Sequence, residues 1–123
     1  MKKETILGRP GAPYAKAVKA NGFLFLSGNV AVNPETGQVP EGGIKEQARQ
    51  VLENLKATLE SLDSSLEDVV KVNIYLVNVR DFSAMNEVYK EYFGDEPPAR
   101  TTVGIHELAR RDFLIEIDLM AAL

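Results

Sequence analysis

Pro97-Pro-Ala-Arg100-Thr-Thr-Val-Gly-Ile105, a polar connection from His106 to Asp112, then Phe113-Leu-Ile-Glu116-Ile-Asp118-Leu-Met-Ala121: this carboxy-terminal stretch decides how the chain folds. The paired prolines cannot continue a helix, and both runs that follow alternate as strands do. In the first, Arg100, Thr102 and Gly104 share one face and Thr101, Val103 and Ile105 the other. In the second, Leu114, Glu116, Asp118 and Met120 oppose Ile115, Ile117, Leu119 and Ala121. Paired as a hairpin, the two runs would bring an arginine and a carboxylate close together on a largely apolar sheet. A charge in so hydrophobic a strand is costly unless it is paired or used.

Upstream, residues 81–93 read as a helix offering Phe82, Met85, Val88, Tyr89 and Phe93 to a core, with Gly94 ending it. Residues 69–77 read as a strand with Val70, Val72, Ile74 and Leu76 on one face and Lys71, Asn73 and Tyr75 on the other. A longer helix over residues 44–62 carries the stripe Ile44, Ala48, Val51, Leu52, Leu55, Leu59 and Leu62; its charged face is a solvated surface. Asn33-Pro-Glu-Thr-Gly37 is a turn. Residues 22–31 form a strand apolar on both faces as far as Ser27-Gly28. Two short strands, 3–8 and 16–20, flank the loop Arg9-Pro-Gly-Ala-Pro13-Tyr14, whose stiffness suits Tyr14 either to a pocket wall or to the edge of the core.

The 123 residues fit a single domain, 1–123, large enough to bury a core. A net charge of −4 argues against nucleic acid as a partner. With no cysteine and one histidine, His106, the chain has no thiolate nucleophile, no disulfide and no His-based metal cluster. No apolar run reaches the ~18 residues of a membrane span and no signal-peptide core is present, so a soluble, cytoplasmic protein is the default. No Walker loop or dinucleotide fingerprint occurs. Chemistry must come from carboxylates, arginine, tyrosine, amides and backbone groups.

The element order β-β-β-α-β-α-β-β describes an α/β fold: a mixed sheet with two helices on one face. Two helices cover only one face, yet residues 23–28 and 113–121 are apolar on both. The economical cover for the other face is a second copy of the chain, so an obligate homo-oligomer is expected, with Asn73, Arg100 and Glu116 near subunit clefts.

Pro98-Ala-Arg100-Thr followed by Leu-Ile-Glu116-Ile-Asp118 resembles the C-terminal signature of the Rid (YjgF) family. So do Pro13-Tyr14, Phe-Leu-Phe-Leu-Ser27-Gly28, Asn33-Pro-Glu-Thr-Gly37, Gln47, Asn54 and Met85-Asn86-Glu-Val-Tyr89, in the same order across nearly the whole chain. The resemblance implies a chorismate-mutase-like fold, a homotrimer with ligand clefts between subunits, and no cofactor or metal. It implies hydrolysis of reactive 2-imino acids or their enamine tautomers (2-aminoacrylate, 2-aminocrotonate and their imines) to 2-keto acids and ammonia, the activity of a 2-iminobutanoate/2-iminopropanoate deaminase.

Carried over residue by residue, Arg100 holds the substrate carboxylate, a task that suits a planar, permanently charged guanidinium. Its alternative is a structural bridge at a subunit interface. Glu116 places the attacking water and manages its proton, and a carboxylate in an apolar strand should have a raised pKa. The alternative there is an ion pair, to Arg100 or to a neighbouring chain. Tyr14 packs beside the substrate side chain. Asn86 lies near the pocket or makes a helix-surface hydrogen bond. Gly28 and Thr102 act through backbone groups, the absence of a Cβ at Gly28 permitting close approach.

The chain departs from the family pattern at Ala15-Lys16, where Ser-Gln is usual, and at Asn29, where Gln is common. Thr102 stands where many relatives have Cys, and the connection Glu107-Leu-Ala-Arg-Arg-Asp112 lacks a proline. His106 is read as an exposed loop residue. Two competing readings are a non-catalytic small-ligand or chaperone-like module and, with less support from the charge balance, an endoribonuclease or translation inhibitor.

Overall fold

Ile115, Ile117, Leu119 and Ala121, none more than 2% exposed, mark the centre of the fold. The computed structural model describes residues 2–123. Its elements run β1 (Glu4–Ile6), β2 (Ala17–Ala20), β3 (Phe23–Val30), α1 (Ile44–Ser61), β4 (Val69–Leu76), α2 (Phe82–Phe93), β5 (Ala99–Gly104) and β6 (Ile115–Ala122), with single 3-10 turns at Leu66–Asp68 and Val79–Asp81. The strands form one six-stranded sheet in the order β1-β2-β3-β6-β4-β5. Every neighbouring pair is antiparallel except β4 and β5, which run parallel and are joined through α2.

The last two strands therefore do not form the hairpin that their adjacency in sequence suggested. β6 inserts between β3 and β4, and β5 lies at the edge. The physical reason is burial. Every second residue of β6 is fully buried, so it gains most with a strand on each side, whereas β5 (Ala-Arg-Thr-Thr-Val-Gly) has little apolar surface to bury.

Both helices cover one face. Leu24 and Leu26 of β3, Val72, Ile74 and Leu76 of β4 and the four buried residues of β6 pack there against Ala48, Val51, Leu52, Leu55 and Leu59 of α1 and Met85, Val88 and Tyr89 of α2. One expected core residue moves: Val70 is 43% exposed, and Val69, 7% exposed, takes its place. The pairing of β4 with β6 slips between Val69 and Lys71, which reverses the alternation at the strand's start. Phe82 also leaves the core, at 42% exposure.

Two α1 amides fasten the helix to the sheet. Gln47, 4% exposed, donates from Nε2 to the Asp112 carbonyl at 2.7 Å and accepts from the Leu114 N–H at 2.8 Å, setting the entry of β6. Asn54 donates to the Val32 carbonyl at 2.9 Å and to Asn29 Oδ1 at 3.2 Å, holding the end of β3. Gly94, at φ 62°, closes α2 with its N–H on the Lys90 carbonyl and turns the chain toward the prolines. No helix among the described residues is long and apolar enough to cross a membrane.

Candidate functional site

The candidate residues fall into two groups on opposite faces of the sheet. The first gathers at an irregularity in β3. Leu26 pairs with Leu119 and Asn29 with Ile117, so one extra residue is accommodated around Ser27-Gly28. Such a bulge bends a strand and redirects its side chains. Here it sets Gly28 directly against Glu116. A Cβ built on Gly28 would overlap Glu116 Oε2 and come within 2.9 Å of its Cδ.

Gly28 also lines an open groove of about 700 Å³ with Arg9, Tyr14, Lys16 and Asn54. The Ser27 hydroxyl donates to the Ala15 carbonyl at 2.6 Å, tying the loop that carries Tyr14 to the bulge. Tyr14 is 57% exposed, a groove wall and not a core-edge aromatic.

Glu116 lies on the face that the helices leave open, next to Tyr75 in the register and two residues from Asp118. Burial pushes its carboxyl above the ordinary carboxylate value, and the nearby Asp118 charge pushes in the same direction. Asp118 is held by Asn73 Nδ2 at 2.8 Å and by the Tyr75 hydroxyl at 2.9 Å. The bond to Asp118, followed by burial, raises the Tyr75 pKa.

The second group sits on the helix-covered face at the β5 edge. Arg100 pairs in register with the buried Val72, so its side chain points toward α2. Its guanidinium carbon lies 4.6 Å from the Tyr89 ring centroid and 5.6 Å from that of Phe82. Both distances are within cation–π range. Arg100 forms no ion pair among the described residues. Asn86 falls between Phe82 and Tyr89 on the same stripe of α2, four residues after one and three before the other, and is half-buried. Thr102 follows on the same face of β5, and its Oγ1 is buried without a hydrogen-bond partner.

Within one chain, Arg100 and Glu116 thus neither share a cleft nor neutralise each other: they occupy opposite faces with β4 between their strands. Gly28 stands with Glu116, and Tyr14 lies along the groove that Gly28 lines; Asn86 and Thr102 stand with Arg100. His106 is exposed in the connection before β6. Among the described residues, no group of three or more His, Asp or Glu side chains is arranged to hold a metal ion. Sequence reasoning missed the Phe82–Tyr89 shelf beneath Arg100, since both rings fitted a core stripe. The spacing Phe82, Asn86, Tyr89 was the signal that could have found it. It also missed the Asn73–Asp118–Tyr75 cluster, whose members are visible singly but not as a set.

The family model described as endoribonuclease L-PSP matches residues 7–123. A RutC family protein of Pyrococcus horikoshii is 50% identical over 113 residues, 92% of this chain and 89% of the relative. A protein of Dermatophagoides farinae named 2-iminobutanoate/2-iminopropanoate deaminase is 41% identical over 102 residues, 83% of this chain and 80% of its own length. Among solved structures, a Yersinia pestis protein of the conserved Rid family superposes with a TM-score of 0.91 at 34% identity, covering 99% of this chain and 100% of that one.

Proposed function

The chain belongs to the Rid (YjgF) family, and from that premise we propose that it hydrolyses 2-imino acids, or their enamine tautomers, to 2-keto acids and ammonia. The observation that carries this reading is Arg100: a guanidinium seated on two aromatic rings, with no carboxylate among the described residues to neutralise it. Such a group recognises a planar anion. The deaminase name carried by the Dermatophagoides relative supports the same chemistry.

A complete site on this reading needs Arg100 from one subunit and Glu116 from its neighbour. Two non-identical surfaces of one chain can meet head to tail around a closed ring. A homotrimer with three equivalent clefts satisfies this, and the half-exposed Phe23 and Phe25, at 40% each, then gain cover on the open face.

Arg100 fixes the substrate carboxylate, and Thr102 lies alongside. Asn86 faces the substrate from α2, while Tyr14 walls the groove beside its short side chain. Glu116, its carboxyl relatively basic, takes a proton from water as the oxygen adds to the imine carbon. The C=N bond becomes a C–N single bond in a carbinolamine. Glu116 returns that proton to the nitrogen, then takes the proton of the new hydroxyl and passes it to the amino group, so that the O–H electron pair forms the C=O bond as the C–N bond breaks and ammonia leaves. Positioning and one carboxylate suffice, because the imine carbon is already electrophilic.

The test couples the purified protein to a pyridoxal-dependent serine or threonine dehydratase and follows the imine before it hydrolyses spontaneously. Wild type should accelerate its disappearance, and Arg100→Ala should lose at least ~100-fold of that acceleration. No acceleration above the spontaneous rate would overturn the assignment. RNA cleavage that persists in Arg100→Ala, without imine turnover in wild type, would instead favour the endoribonuclease label of the family model.

A further inference from the structure

Two buried side-chain polar atoms lack a hydrogen-bond partner among the described residues: the Tyr89 hydroxyl and Thr102 Oγ1. Both belong to residues that flank Arg100: the Tyr89 ring lies beneath the guanidinium, and Thr102 is two residues along the same face of β5. Buried hydroxyls are seldom left unpaired, since desolvation is then uncompensated. That both such atoms border the same unpaired cation argues against chance. Tyr89 is only 6% exposed, and burial raises its hydroxyl above the usual tyrosine pKa, with the charge and the hydrogen-bonding approach of Arg100 offsetting part of the rise; because a guanidinium only donates, that approach leaves the hydroxyl proton without an acceptor. The hydroxyl is therefore a proton donor at neutral pH, lying next to a site that selects an acceptor.

We propose that Tyr89 is a substrate-binding residue whose ring supports the Arg100 guanidinium and whose hydroxyl, together with that of Thr102, donates a hydrogen bond to the carboxylate that Arg100 holds. A carboxylate has about four lone-pair sites, and a bidentate guanidinium occupies two. The two hydroxyls are placed to take the others. This inference rests on reading Arg100 as the carboxylate clamp. It adds a consequence that a packing role for Tyr89 would not have: the hydroxyl costs the free protein stability and returns it only when an anion is bound.

Tyr89→Phe removes that oxygen and keeps the ring beneath Arg100. Pyruvate, a 2-keto acid product, serves as the probe, titrated by calorimetry into wild type and Tyr89→Phe, with thermal melts of both proteins and imine kinetics alongside. The variant should bind pyruvate about tenfold more weakly, the loss of one hydrogen bond to a charged acceptor. KM should rise by a similar factor with kcat retained, and Tm should be unchanged or higher. Unchanged pyruvate affinity, or weaker binding accompanied by a lower Tm, would overturn the proposal while wild-type imine turnover left the deaminase reading standing. Failure of wild type both to bind pyruvate and to accelerate imine loss would overturn both.

Discussion

At the residue scale, Gly28 holds the candidate acid in place by having no side chain. A Cβ there would displace the Glu116 carboxyl, and because that carboxyl is the end of a flexible side chain the displacement is cheap for the fold. Gly28→Ala should therefore leave Tm nearly unchanged while lowering kcat for imine hydrolysis by about 10–100-fold, since a misplaced base cannot hold its water. Full activity in Gly28→Ala would detach Glu116 from the chemistry. The raised pKa of Glu116 gives a second expectation. If the ionised form activates water, kcat/KM climbs with pH through a limb centred above the ordinary carboxylate value, and Asp118→Asn moves that limb down by removing a like charge. The stability effect has the opposite sign: the folded state holds this proton more tightly than the unfolded one, so stability falls as pH rises through the same window. Glu116→Gln should flatten that fall in melts recorded across pH. Glu116 stood out in the sequence as a charge in an apolar strand, and Arg100 as part of the signature Pro98-Ala-Arg100-Thr. Tyr89 did not, because a hydroxyl at the end of a core-facing ring leaves no trace in periodicity.

At the element scale, periodicity set out which residues share a face but not which strands are neighbours. The bounds of α1, β4 and α2 were legible because each has a strong period and a marked end, such as Gly94 after α2, and β3 because it is a continuous apolar run. The position of β6 was not, since antiparallel strands close in sequence suggest a hairpin, and only burial on both flanks identifies the central one. Nor could alternation foresee the irregularities at Gly28 and Val70, which depend on partner strands. Gln47 is where the arrangement is most exposed to test. Gln47→Leu keeps the volume but strands the Leu114 N–H and the Asp112 carbonyl at the entry to β6. Urea unfolding should show a loss of about 1–3 kcal/mol. A loss below about 0.5 kcal/mol would mean that water replaces the amide and that β6 is positioned by packing alone.

At the scale of the whole molecule, an apparent difficulty becomes the strongest argument for assembly. One chain carries Gly28 and Glu116 at one surface and Asn86, Arg100 and Thr102 at another, with the sheet between them. A family signature spanning both surfaces makes chemical sense if neighbouring copies bring them together. The central claim is thus that catalysis belongs to a pair of subunits, Arg100 from one and Glu116 from the next. The most direct measurement is complementation. Arg100→Ala and Glu116→Ala proteins are refolded singly and as an equal mixture, and each preparation is assayed for imine hydrolysis with the coupled dehydratase. Each variant alone should stay near the spontaneous rate. Random mixing should rebuild an intact cleft at about a quarter of the interfaces and recover about a quarter of wild-type activity. A mixed population no more active than its parents, with wild type fully active under the same conditions, would contradict the shared site.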